Sequence, residues 1–499
     1  MCATVCDSIC HLSHKCEVNL LKFHSVGVTS SICNVLKDHV RVPSVVYKSC
    51  QAIVIFSAIS SIRESISKID FVCDMLVKAL VTHVSSDVNV MIAISWAISV
   101  FTKYKQTALI FDNNKTCLIL LECLMENKNI KELVIPVVIS IMELSILPSA
   151  AEIFAGSLLA YTSLVEILHS YAGEPRVVEG ICVSLINLVK TEQQKAKLVA
   201  PANTSYSPDS SATVSSPQAI CLCIQLQIDN NQTSNGEFTH LITLLVQLIL
   251  CICHGSVRNA ELFGNAGICE VLMTLVGNPI VGDNAELLTK LFKAMEVLGI
   301  SKMNKLILGK DVHCRALLKV MKNNIYNKTI CITSCSAVSS ICLNVSDNKE
   351  VFGDNGFCPL VCELIRVHTD DASVIGAACA ALWSFGSGNM KNTQRLSQIV
   401  SISDLLIEVL KLHFDNSLVC GAVCGLLAAI LQVDQGHFPA MKSCKMQEIC
   451  LATLTTYSSN ESVVAPALTL LRLLFQYEWE LNAELNPFSN HTKECACLV

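Results

Sequence analysis

The stretch NKEVFGDNGFCPLVCELIRVHTDDASVIGAACAALWSF, residues 348–385, decides the fold. Its second half, from Ser373, is an apolar helix-like segment that opens just after the polar pair Asp370-Asp371. Segments of the same kind open at Ser44, Asn89, Glu132, Arg176, Glu237, Glu286, Thr329, Ser373, Ser417 and Ser462, with successive differences of 45, 43, 44, 61, 49, 43, 44, 44 and 45. A fixed period of about 40–47 residues marks a helical solenoid, in which no unit buries its own apolar face and each must stack on the next. The expectation is an all-α, right-handed superhelical solenoid of about ten repeats.

Residues that cap helices precede the segments: Ser86-Asp87, Asn127-Lys128-Asn129, Asp283-Asn284, Asp415-Asn416 and Ser459-Asn460. Their side-chain oxygens can accept the orphan N–H groups of a first helical turn. With the opening residue as position one, position nine is Ala52, Ala97, Ser140, Ser184, Ala294, Ala337, Ala381 and Gly425, broken by Leu245 and Leu470. A small residue at one fixed helical site lets neighbouring helices approach closely. Position seven is Cys50, Cys182, Cys335 and Cys379 in four units. Cysteine there alternates with Ser, Val and Thr, as expected of a thiol serving as a small core hydrophobe.

Composition narrows the function classes. With 52% hydrophobic and 16% charged residues the chain is unusually apolar, yet Leu241–Cys253 is interrupted by Gln247 and Leu133–Leu147 by Glu143. Both fall short of the roughly 18 apolar residues that a spanning helix needs, so no integral membrane insertion is expected. A net charge of −6 without a Lys/Arg cluster gives no basis for general nucleic-acid binding. The start of the chain, with Asp7, His11, His14 and Lys15 among scattered cysteines, lacks a basic start and apolar core, so a cytoplasmic location, with the nucleus also open to it, is expected. No catalytic serine elbow, phosphate-binding glycine loop, dinucleotide fingerprint or zinc-protease helix motif is present, and no enzyme activity or cofactor is expected. Cys2, Cys6 and Cys10 at i, i+4, i+8 would present thiolates in a row too long for one zinc ion, so no metal is expected either.

A second pattern, Asn-x3-Phe-x3-Gly ahead of an apolar helix, occurs at Asn259, Phe263, Gly267 and at Asn348, Phe352, Gly356, with a degraded copy at Asn392, Leu396, Val400. Together with Ala377-Ala378-Cys379-Ala380-Ala381-Leu382-Trp383, which looks like a third helix, this resembles the armadillo family. The resemblance covers most of Ser44 to Gln476. HEAT repeats share the period, and the N-terminal units, read as lacking the turning glycine, are open to either type. The implied organisation is capping helices over 1–43, repeats over 44–198 and 219–476, an insertion at 199–218, and a tail at 477–499.

The resemblance implies a concave groove lined by third helices, which in peptide-clamping members carries an asparagine ladder. The equivalent twelfth position holds asparagine only at Asn187; elsewhere it is Ser340, Ser384 or an apolar or acidic residue. A nuclear-import receptor is therefore disfavoured. The candidate protein-binding residues are Trp383, Ser384, Ser340, Asn344, Asn187 and Ser387, in a C-terminal half centred on Trp383 and Phe385. The third-helix segments Thr329–Cys342, Ser373–Phe385 and Ser417–Gln432 contain no Asp, Glu, Lys or Arg, and the partner expected there is an apolar helix or strand. The leading function is a non-enzymatic intracellular scaffold binding another protein. The alternatives are a membrane-peripheral repeat protein held by acylation of Cys495 or Cys497, or the regulatory region of a larger signalling system. The Ser/Thr/Pro/Ala-rich insertion offers Ser207-Pro208 and Ser216-Pro217 as candidate phosphorylation sites.

Overall fold

The computed structural model describes residues 1–84, 87–113, 116–199, 214–229 and 235–485. Among these the regular elements are all helical. The unit quoted above sets the pattern with helices Ser346–Asp354, Phe357–Val367 and Ala372–Gly386. Gly356, at φ +87°, makes the left-handed turn between the first two, and the Asp371 carboxylate accepts from the Ser373 and Val374 N–H groups to start the third. Asp87, Asn284, Asn327 and Asn416 cap other third helices the same way. Ten such triplets are found among the described residues, preceded by a lone helix, Cys2–Ser13.

The chain divides into two compact units, Met1–Ile252 and one from Cys253 onward. In the first, the helices Cys2–Ser13, Pro43–Phe56, Val88–Thr102, Lys131–Leu144 and Pro175–Leu188 stack in succession. In the second, Ala285–Leu298, Lys328–Cys342, Ala372–Gly386, Ser417–Val433 and Glu461–Leu485 do so. The position-nine residues Ala52, Ala97, Ser140, Ser184, Ala294, Ala337 and Ala381 lie at most 1% exposed in these stacks, where a larger side chain would hold the helices apart. Cys50, Cys182, Cys335 and Cys379 are equally buried.

Two sets of polar rungs tie one repeat to the next. In the second unit the buried first-helix asparagines reach backward. The Asn304 Nδ2 donates to the carbonyls of Ala260 (2.8 Å) and Leu298 (3.0 Å), Asn348 Nδ2 to Lys305 (2.8 Å) and Ile341 (2.9 Å), and Asn392 Nδ2 to Lys349 (2.9 Å). Each amide lies where the Cβ of a preceding residue would be, so Gly264, Gly309 and Gly353 are the spaces that admit Asn304, Asn348 and Asn392. The second set runs along the turn after the second helix. His83, His368 and His413 donate Nε2–H to the carbonyls of Val40, Ile325 and Thr369, and Tyr171 and Tyr457 donate to Lys128 and Phe414. Partners 43 or 44 residues apart in sequence thereby satisfy backbone groups that the interior would otherwise leave unpaired.

Several sequence expectations are corrected. The pattern Asn19, Phe23, Gly27 is a further copy of Asn-x3-Phe-x3-Gly, with Gly27 at φ +83° and Asn19 Nδ2 donating to the Leu12 carbonyl. Residues 17–56 are therefore a complete triplet rather than a cap followed by a repeat, and Cys2–Ser13 packs on Pro43–Phe56 as a third helix. The units between Ser60 and Leu188 are also triplets, not helical pairs. Ser401, not Val400, takes the left-handed turn at φ +56°, because the preceding turn carries one extra residue. The final helix runs to Leu485, so residues 477–485 belong to it and not to a tail.

The insertion is shorter than the sequence suggests. Residues 200–213, including Ser207-Pro208, lie outside the described residues, but the helix Ser216–Asp229 begins inside the expected span. Gln218 Oε1 accepts from both the N–H and the hydroxyl of Ser215 at the helix start. Ser216 is 2% exposed, which removes it as an accessible phosphorylation site. Cys495 and Cys497 also lie outside the described residues. The run Leu241–Cys253 belongs to a 19-residue helix, Asn235–Cys253, long and apolar enough to cross a bilayer, and half of it is buried inside the fold. Leu133–Leu147 is divided by a bend of 117° between Lys131–Leu144 and Pro148–Gly156.

Candidate functional site

Absence of charge has two different consequences in the three third helices of interest. Ser417–Val433, apolar nearly all round, is buried continuously from Val419 to Ala428, covered by the helices before and after it. Lys328–Cys342 and Ala372–Gly386 instead leave Ile332, Ser336 and Ser340, and Ser373, Ala377 and Ala380, partly or fully exposed. Mostly small side chains thus form an open, nearly charge-free floor.

Trp383 is the large residue on this floor. Its half-exposed indole lies over Gly425 of the next third helix, where an added Cβ would come within 2.5 Å of Trp383 Cε2. Beside it is a cavity of about 700 Å³, with Ser387, Met390, Thr393, Gln432, Ala465 and Pro466 among its walls. Among the described residues, Glu461 is the one ionisable group of the lining. This volume suits a few side chains of a docked segment. Gly425→Leu is expected to displace the indole and destabilise the chain by roughly 1–3 kcal/mol through overpacking, read as a lower melting temperature. Unchanged melting would show that the helices are not in this close contact.

Lys349, in the first helix of the same repeat, is 8% exposed and donates Nζ–H to the carbonyls of Ser384 and Ser387, both at 2.7 Å. It closes the C-terminal end of Ala372–Gly386, where a cation offsets the unpaired carbonyls. Burial lowers its pKa from the ordinary lysine value. Lys305 does the same one repeat earlier, donating to the Leu343 carbonyl at 2.8 Å.

The sequence candidates fall into separate places. Trp383, Ser384 and Ser387 share one helix end, with Trp383 and Ser387 lining the cavity. Ser340 is half-buried and its hydroxyl is already bonded to the Glu296 carbonyl at 2.9 Å. Asn344 is an exposed turn residue at φ +60° between a third and a first helix. Asn187 lies in the other compact unit, its amide donating to Ser145 Oγ at 3.0 Å, so it braces adjacent repeats. Phe385 is not part of the groove: it is 1% exposed and packs in the core on Phe357, ring centroids 4.9 Å apart.

Sequence reasoning missed a second concavity, of about 560 Å³, in the first unit. Asp7, His11, Tyr47, Lys48, Asn89 and Trp96 are among its walls. Lys48 Nζ lies 2.6 Å from the Asp7 carboxylate and holds its pKa below the usual range. These residues come from three successive third helices, a grouping visible only once Cys2–Ser13 is placed in that series. Cys6 and Cys10 are buried against Pro43–Phe56, with Cys6 Sγ 3.9 Å from Ser49 Oγ, and among the described residues no group of three or more His, Cys, Asp or Glu is placed to hold a metal.

No family model matches the chain, and no curated protein matches it. Solved structures do. One, from work on a phosphorylation switch controlling the interaction between cadherin and beta-catenin, superposes with a TM-score of 0.72 at 16% identity, over 95% of this chain and 88% of that one. An engineered protein from the Northeast Structural Genomics Consortium superposes at 0.65 and 16% identity, over 89% and 98%. Identities this low speak to fold and not to activity. With triplets of helices repeating at about 44 residues and third helices stacked in order within each unit, the chain has the armadillo-type helical-repeat fold.

Proposed function

We propose that the chain is a non-enzymatic intracellular scaffold that binds another protein on the face formed by its third helices, anchored at Trp383. The observation that carries this reading is the cavity of about 700 Å³ beside the half-exposed indole, at the end of a small-residue, nearly charge-free floor. Aromatic anchors in such hollows are where binding energy concentrates at protein interfaces. An apolar helix or strand fits this lining better than a charged ligand. The work behind the similar structure concerns a protein that engages cadherin, which supports protein binding as the class of function. An intracellular setting is supported by Cys50, Cys182, Cys335 and Cys379, which sit in the core as thiols and not in disulfides.

The test uses Ser384→Arg. Ser384 is half-buried beside Trp383, so a long cation there obstructs the floor without entering the core. Quantitative affinity capture from cells is expected to lose the specific partner by more than about tenfold, or at least ~1.4 kcal/mol, while the melting temperature is retained. Capture unchanged in a folded variant would refute the assignment of this face.

A further inference from the structure

One second helix of the second unit, Asp311–Asn323, faces solvent differently from its neighbours. It buries Cys314, Leu317, Leu318 and Met321, and its opposite stripe carries Val312, Arg315, Lys319 and Lys322 at spacings of 3, 4 and 3. Tyr326 follows just past the helix end. Val312 is 60% exposed and Tyr326 81%, so a run of cations is bracketed by two large apolar side chains. His313 donates Nδ1–H to the Ile307 carbonyl at 2.8 Å. That bond holds the start of the stripe on the end of the helix Lys302–Leu308, which adds Lys302 and the exposed Met303 and Leu306.

Positive charge is concentrated here. Residues 302–322 hold six Lys and Arg against Asp311 alone, in a chain whose net charge is −6. Asp311 is already engaged: Arg315 Nη2 lies 2.6 Å from its carboxylate, and Asn355 Nδ2 donates to it at 2.8 Å. Lys310 pairs with Glu270 at 3.6 Å, whereas Lys302, Lys319 and Lys322 project into solvent with no ion pair among the described residues. The second helices on either side, Ile268–Val276 and Phe357–Val367, present Glu270 and the opposite charges Glu363 and Arg366. The basic character therefore belongs to this repeat and not to the surface in general.

We propose that this stripe docks on an anionic lipid surface, with Lys302, Lys319 and Lys322 against the headgroups and Met303, Val312 and Tyr326 at the boundary with the acyl chains. Charge complementarity sets the sign of the occupant. The exposed apolar side chains set its kind. Nucleic acid offers phosphates to the cations but no apolar layer to Met303, Leu306 and Val312, whereas a lipid surface offers both across one broad face. The contact uses a second helix, so it is independent of binding at Trp383.

Cosedimentation of the full chain with vesicles tests this, comparing phosphatidylcholine alone with phosphatidylcholine and phosphatidylserine in about equal parts. The chain is expected to bind the mixed vesicles, to leave them as salt is added, and to bind phosphatidylcholine alone only weakly. Lys319→Glu with Lys322→Glu should lower mixed-vesicle affinity more than about tenfold with unchanged melting, since both side chains are solvated. Val312→Ser with Tyr326→Ser should lower it about fivefold. No binding to mixed vesicles, equal binding to both compositions, or binding that survives the charge reversal overturns the proposal. Loss on charge reversal with no effect of the Val312→Ser and Tyr326→Ser pair overturns it as well, assigning the stripe to a soluble polyanion or an acidic protein segment.

Discussion

Between pH 8 and pH 10 the folded chain is expected to lose stability of the order of 10 kcal/mol, comparable with the whole stability of an ordinary domain. The cause is the buried thiols. Burial pushes Cys33, Cys73, Cys117, Cys123, Cys223, Cys314, Cys358, Cys362 and Cys420 up to about 12 from an ordinary value of 9.0. Cys50, Cys335 and Cys379 are raised further, also by burial. Below pH 9 a thiol is protonated whether the chain is folded or not, and its contribution to stability is fully present. Above it the unfolded chain releases protons that the folded chain retains, so the contribution is lost as pH rises toward the folded value. Each thiol then favours unfolding by roughly 1 kcal/mol at pH 10. Far-ultraviolet circular dichroism against pH, with reductant present, should show steep cooperative loss of helix between pH 9 and pH 10.5. A flat profile through that window would mean that the thiols are not in the core.

The second large effect is expected at the asparagine rungs. Asn348→Ala removes two buried hydrogen bonds and leaves the Lys305 and Ile341 carbonyls to find other partners. A cost of about 2–3 kcal/mol follows. Gly309→Ala should cost a similar amount, because the new methyl occupies the space of the Asn348 amide. In the Asn348→Ala background that space is empty, so Gly309→Ala should become nearly neutral. The double-mutant cycle should therefore show strong coupling between residues in adjacent repeats. Additive effects, measured by chemical denaturation, would mean that the two do not meet.

What was legible in the sequence is what repeats locally. The period, the caps at Asp87, Asn284, Asp371 and Asn416, the small residue at position nine and the cysteine at position seven all follow from helical spacing within one segment. The glycines at 264, 309 and 353 were not read as space-makers, because each leaves room for an asparagine about 40 residues later, and no local pattern joins the two. The register slip at Ser401 came from a single extra turn residue that keeps the helix period intact. The first triplet was legible in Asn19, Phe23 and Gly27, the same signal recognised at 259–267 and 348–356, but its first helix lies upstream of the apolar segments used to count. Trp383 and Phe385 are two residues apart and equally apolar. Which of them faces solvent depends on the neighbouring helices, with Gly425 beneath one and Phe357 against the other.

The most direct measurement is amide hydrogen exchange of the full chain, alone and bound to the partner lost on Ser384→Arg substitution. Binding at Trp383 should slow exchange at the end of Ala372–Gly386, in 387–393, and along the cavity-lining parts of Ser417–Val433 and Glu461–Leu485, leaving the helices Phe357–Val367 and Ile402–Leu412 unchanged. Protection confined to those second helices, or absent from the Trp383 segment, would contradict the account.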